Sequence, residues 1–104
     1  MGIIKGVLEE EYKRLRSLSE KYRQDVSRLP AGSVSIKEIS GHKYAYLARR
    51  KGKKVLFEYV GKASDPEVKS LQADIKKRKE IEAKRKSIKK DLKELERAIG
   101  GRKI

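Results

Sequence analysis

The chain holds two prolines, Pro30 and Pro66, and they divide it into three stretches with different hydrophobic periods. Proline lacks a backbone N–H and pushes the residue before it out of the helical region, so a helix cannot run on through Leu29. The same fixed φ suits the first position of a helix, so Pro66 marks a start. Between the prolines, apolar and polar residues alternate. Outside them, apolar residues recur at helical spacing. This punctuation predicts an α+β fold in one domain: a helix over 1–29, a three-stranded sheet over 30–62 and a long basic helix over 63–104.

In the first stretch the apolar stripe is Ile4, Leu8, Leu15, Leu18, Tyr22, Val26 and Leu29, with Glu11 in one of its slots. The steps of three, four and seven residues are those of a near-heptad helix. The third stretch opens with Ser64-Asp65-Pro66-Glu67. Either Ser64 or Asp65 can cap the helix, and Glu67 suits its positive end. The stripe continues through Val68, Leu71, Ile75, Ile81, Ile88, Leu92, Leu95 and Ile99, with Arg78 and Arg85 in seam positions, and a stop is expected at Gly100-Gly101. About 33 residues at 1.5 Å each span roughly 50 Å. A helix of that length needs a partner. Packing on the first helix gives an antiparallel coiled-coil-like pair; packing on another copy gives a homodimer.

The middle stretch reads as a meander. Pro30-Ala31-Gly32-Ser33 and Ser40-Gly41-His42 are turns, and Lys51-Gly52 is a tight hairpin turn. Ser33–Ile36, Tyr44–Arg49 and Val55–Val60 carry strand character. Alternation puts Arg49 on a face with Ala45 and Leu47, and Arg50 on a face with Tyr44, Tyr46 and Ala48. One face must cover a helix. The rings of Tyr44, Tyr46, Phe57 and Tyr59 are expected in that core, although the pattern leaves the outward parity open.

Charge then narrows the function. The chain carries 29 Lys and Arg against 15 Asp and Glu, a net charge of +14. Residues 31–62 are the most one-sided, with eight basic and two acidic groups. Such clustering is the footprint of a polyanion binder. The absence of Cys and the presence of a single histidine, His42, remove disulfide frameworks and Cys-based metal sites. No nucleophile elbow and no phosphate loop occurs, so neither an enzyme nor a cofactor is expected. No apolar run approaches a membrane span, and the start is soon interrupted by Glu9-Glu10-Glu11, so a cytoplasmic protein without membrane attachment is expected.

The densest feature is Arg49-Arg50-Lys51-Gly52-Lys53-Lys54, five positive groups in six residues around one turn. A two-stranded ribbon of that kind fits the major groove of DNA. The candidate nucleic-acid contacts are Arg49, Arg50, Lys51, Lys53 and Lys54, with Tyr44, Tyr46, Lys43 and Lys62 around them. Tyrosines on an open face could also stack on single-stranded bases.

The motifs Leu29-Pro30-x-Gly32-Ser33, Gly41-x-x-Tyr44-x-Tyr46-Leu47, Gly52-Lys53 and Tyr59-Val60-Gly61-Lys62 resemble those of a group of small uncharacterised prokaryotic proteins. The strand–turn–strand part also resembles the arm-site-binding domains of tyrosine recombinases, which lay a three-stranded sheet on the DNA major groove. That second likeness implies contacts from Tyr44, Tyr46, Arg49, Arg50, Lys53 and Lys54. The helices here are far longer than in those domains. The expected function is therefore nucleic-acid binding, DNA ahead of RNA, through the basic sheet. The alternative is a coiled-coil assembly protein whose charge serves solubility.

Overall fold

A computed structural model of the chain describes residues 2–100. The elements run α1 (Gly2–Ser27), β1 (Ser33–Ile39), β2 (His42–Lys51), β3 (Lys54–Lys62) and α2 (Pro66–Gly100). The α+β class, the element order and the antiparallel meander agree with the sequence pattern. α2 reaches Gly100, while Gly101, the second glycine of the expected stop, lies outside the described residues. The chain divides into two compact units, residues 29–79 and residues up to 28 together with those from 80 onward.

Residues 29–79 hold the sheet and the first part of α2. The strands lie in the order β1-β2-β3. Ser40 and Gly41 both take positive φ, 51° and 82°, which is the primed turn that follows the natural twist of a hairpin. At the next turn only Gly52 is positive, at 64°. The core of this unit comprises Ala45, Leu47, Val68 and Ile75, with Ala45 and Val68 fully buried. Pairing puts Val34 opposite Leu47 and Ile36 opposite Ala45, so these β1 side chains share the face that α2 covers. The tyrosines and Phe57 belong to the other parity.

That result overturns the expectation of a ring-filled core. Phe57 is 51% exposed, Tyr59 is 56% exposed, and Tyr44 and Tyr46 are half-buried. The buried face is instead the one built on Ala45 and Leu47, with Val68 and Ile75 of α2 buried in the same unit. Ala45 pairs with Gly61, so the covered face offers its smallest side chains at one level, and both residues are buried there. A β-bulge makes that pairing. Tyr46 pairs with Tyr59 and Ala45 with Gly61, which leaves Val60 as the extra residue.

Gly61 has a second constraint. A Cβ there would lie 2.7 Å from Oδ2 of Asp65, and that oxygen accepts the Lys62 N–H at 3.0 Å. Asp65 is thus the residue at the head of α2, its carbonyl accepting from Val68 N at 3.0 Å. Its carboxylate turns back to the end of β3 instead of capping the first helical turn.

The second unit is a helical hairpin. Leu15, Ile81 and Ile88 are buried, and Leu8, Leu18, Tyr22, Val26, Leu92, Leu95 and Ile99 are half-buried. The Tyr12 hydroxyl donates to Glu96 Oε1 at 3.1 Å, and Glu20 feels the charge of Arg85. Position numbers rise on one helix as they fall on the other, so the pair is antiparallel. Ile4, expected in the stripe, is 69% exposed. The register set by Tyr12 with Glu96 carries Ile4 past Gly100, the last of the described residues. No described helix is long and apolar enough to cross a membrane.

The two arginines in the α2 stripe behave differently. Arg78, within the sheet unit, is half-buried and donates from Nη1 to the Leu29 carbonyl at 2.7 Å. A polar residue is held in the seam there because it satisfies a backbone acceptor. Arg85, in the hairpin, is half-buried with its Nε shielded from solvent and without a hydrogen-bond partner.

Candidate nucleic-acid interface

The sheet has two unlike faces. From the pairing, the face away from α2 presents Ser33, Ser35, Lys37 and Ile39 on β1, then His42, Tyr44, Tyr46, Ala48 and Arg50 on β2. On β3 it presents Val55, Phe57, Tyr59 and Lys62. No strand position on this open face is a carboxylate. The two acids of the sheet, Glu38 and Glu58, pair with Lys43 and Leu47 and therefore belong to the covered parity.

Lys62 reaches the open face through the bulge. Regular alternation from Tyr59 would place it on the covered parity, whereas the extra residue pairs it with Tyr44. Bulges re-aim side chains in this way. All four Tyr and Phe rings of the sheet are gathered on this face, with the His42 ring beside them. The Tyr46 and Tyr59 centroids lie 5.6 Å apart in an edge-to-face arrangement, Tyr44 lies 6.2 Å from Tyr59, and His42 lies 6.5 Å from Tyr44. The Lys37 ammonium sits 4.3 Å from the Phe57 centroid and 5.0 Å from that of Tyr46. Exposed contacts of this type contribute about 0.5–1 kcal/mol each, enough to bias the amine toward the rings.

The expected contact residues are split between faces. Tyr44, Tyr46, Arg50 and Lys62 stand together on the open face, and Lys53 lies in the turn between β2 and β3. Lys43, Arg49, Lys51 and Lys54 take the covered parity. Arg49 is also engaged, donating from Nη2 to Glu58 Oε2 at 2.9 Å across the strands. Lys37, Phe57 and Tyr59 complete the open face and were not among the expected contacts. The strand pattern groups Phe57 with Tyr59 but leaves open which face is outward, and Lys37 lies beyond the short apolar run that marked β1.

Residues 6–70 match the family described as Domain of unknown function (DUF6788). The chain belongs to that family. The DUF6788 match takes in most of α1, the whole sheet and the first turn of α2, so every open-face residue lies within it. The membership accords with the likeness to small uncharacterised proteins. No curated protein and no solved structure matches the chain. Among the described residues no group of three His, Asp or Glu side chains could hold a metal ion.

Proposed function

We propose that the chain binds nucleic acid through the open face of its sheet. The observation that carries this reading is the segregation of charge: Lys37, Arg50 and Lys62 share a face with no carboxylate among its strand positions. A face of one sign concentrates a polyanion and gives a salt-dependent affinity. Lys53 adds an exposed cation in the turn between β2 and β3. The likeness to recombinase arm-type sheets puts DNA ahead of RNA and makes Tyr44, Tyr46 and Arg50 its nearest contacts. The activity is binding without catalysis.

The test is fluorescence anisotropy with labelled duplex DNA, single-stranded DNA and RNA at two salt concentrations. Affinity should fall steeply with salt. Reversing charge in Arg50→Glu/Lys53→Glu should weaken binding and flatten the slope, and an unchanged slope would remove this face as the site.

A second reading rests on a separate observation. Ile3 and Ile4 are 85% and 69% exposed at the start of α1, and Val7 follows them on the same side. An apolar end of that kind favours self-association of the hairpin. Sedimentation of the unmodified chain against Ile4→Glu separates the readings: a dimer lost in the variant, with nucleic-acid affinity retained, would make assembly an independent property.

A further inference from the structure

Charge alone would suit any polyanion, duplex or single-stranded, and it needs no rings. The open face carries Tyr44, Tyr46, Phe57 and Tyr59 together, with Phe57 and Tyr59 more than half exposed. None of these rings is needed to fill the core, which closes on Ala45, Leu47, Val68 and Ile75. Duplex DNA hides the flat faces of its bases and offers phosphates and groove edges, which aromatic faces use poorly. Unpaired strands expose base faces, and every base has one, so ring platforms bind them with little regard to sequence.

The cations are placed to meet the backbone of such a strand. Lys37 lies above the Phe57 and Tyr46 rings, Arg50 is opposite Val55 next along the face from Phe57, and Lys62 is opposite Tyr44 at the far end. The ring contacts run from His42 through Tyr44 and Tyr59 to Tyr46. Positive groups therefore share the face with the rings: Lys37 over Phe57 and Tyr46, Lys62 opposite Tyr44, and Arg50 one pair beyond Ala48–Phe57 on the same face. We infer that the open face is a stacking platform for unpaired nucleic-acid strands, with Tyr44, Tyr59 and Phe57 taking bases and Lys37, Arg50 and Lys62 taking phosphates. This rests on the nucleic-acid reading above and specifies its substrate class. DNA and RNA strands share the chemistry.

The experiment uses the full chain with labelled oligothymidylate and oligouridylate of about 20 nucleotides, and with the duplex made by annealing the first to its complement. The free strands should bind more tightly than the duplex, and the tighter of the two names the natural source. Tyr59→Val and Phe57→Leu should each weaken strand binding at least about fivefold, with the salt slope and duplex affinity unchanged. Tyr59→Phe keeps a ring and should bind as the unmodified chain does. Equal affinity for strand and duplex, or ring removal without effect, would overturn the platform while leaving the charged face intact as a nucleic-acid site. No binding of any of the three at low salt would overturn the underlying reading as well. Should a ring variant fail to fold by circular dichroism, the strand-against-duplex comparison on the unmodified chain decides alone.

Discussion

Two triple variants with the same charge change separate the open face from charge in general. One is Lys37→Gln/Arg50→Gln/Lys62→Gln, which strips the open face. The other is Lys43→Gln/Lys51→Gln/Lys54→Gln, three cations of the covered parity. Each takes the chain from +14 to +11. Each phosphate contact to a single strand contributes about 0.7 to the slope of log affinity against log salt, so three contacts contribute about 2. Between about 50 and about 200 mM salt, that slope corresponds to roughly a 20-fold loss of affinity. The unmodified chain should therefore lose about 20-fold more affinity over that range than the open-face variant. The covered-face variant should keep nearly the full slope. Anisotropy titrations with a labelled oligothymidylate across several salt concentrations give both slopes directly. All six side chains are exposed or at strand edges, so thermal melts should show both variants folded. Equal flattening in the two variants would refute the reasoning, because affinity would then follow net charge and not its placement.

Ile75→Ala removes a buried side chain between α2 and the sheet, and should cost about 2–5 kcal/mol in denaturant unfolding, whereas Phe57→Leu on the open face should cost under about 1. Gly61→Ala forces the Asp65 carboxylate off the Lys62 N–H and should cost about 1–3 kcal/mol; an Asp65→Asn/Gly61→Ala double variant should cost little more than Gly61→Ala alone. The hydrogen bonds from Arg14 and Arg23 hold the Glu11 and Glu20 carboxyls below their ordinary value, so folding gains from their ionised forms above the usual carboxylate range and loses that gain as pH falls through the depressed values. Both groups are exposed, so the gain is small, and Glu11→Gln/Glu20→Gln should show a slightly shallower acid-side fall of Tm than the unmodified chain.

Much of the architecture was legible because it depends on period and punctuation. The α2 stripe is the clearest case: Val68, Ile75, Ile81 and Ile88 are buried, and Leu71, Leu92, Leu95 and Ile99 half-buried, in the order the spacing dictates. Pro30 and Pro66 fall where the helices stop and start. Ile4 sits on the α1 stripe yet is exposed, because periodicity marks the apolar side of a helix and not its burial. Asp65 was legible as a helix start, but the sequence carries no mark of its carboxylate reaching back to Lys62.

The faces of the sheet were less legible. Both parities of β2 are apolar enough to be core, one through Tyr44 and Tyr46, the other through Ala45 and Leu47. Ring size pointed inward, whereas the buried face is the one that carries Ala45, Leu47 and Gly61. The Ala45–Gly61 pair on that face exists only through the bulge at Val60. The same bulge brings Lys62 to the Tyr44 side. A one-residue irregularity thus decides both which small residue pairs with Ala45 and which cations share the rings, and no hydrophobic alternation encodes it.

The composition of the open face is hard to account for by stability or solubility. Four rings together with Ile39 and Val55, all on one sheet surface, raise the hazard of edge and face association. A surface required only to stay in water would carry polar residues there, and mixed charges would serve as well as positive ones. A surface required only to hold a polyanion would need the cations and not the rings. The covered face shows that this chain can place carboxylates among its lysines, since Glu58 pairs with Arg49 a single strand position from the open side. Rings with cations and without carboxylates meet both parts of one ligand, a flat apolar surface and a negative one in regular succession, and a nucleic-acid strand with its bases unpaired presents that combination.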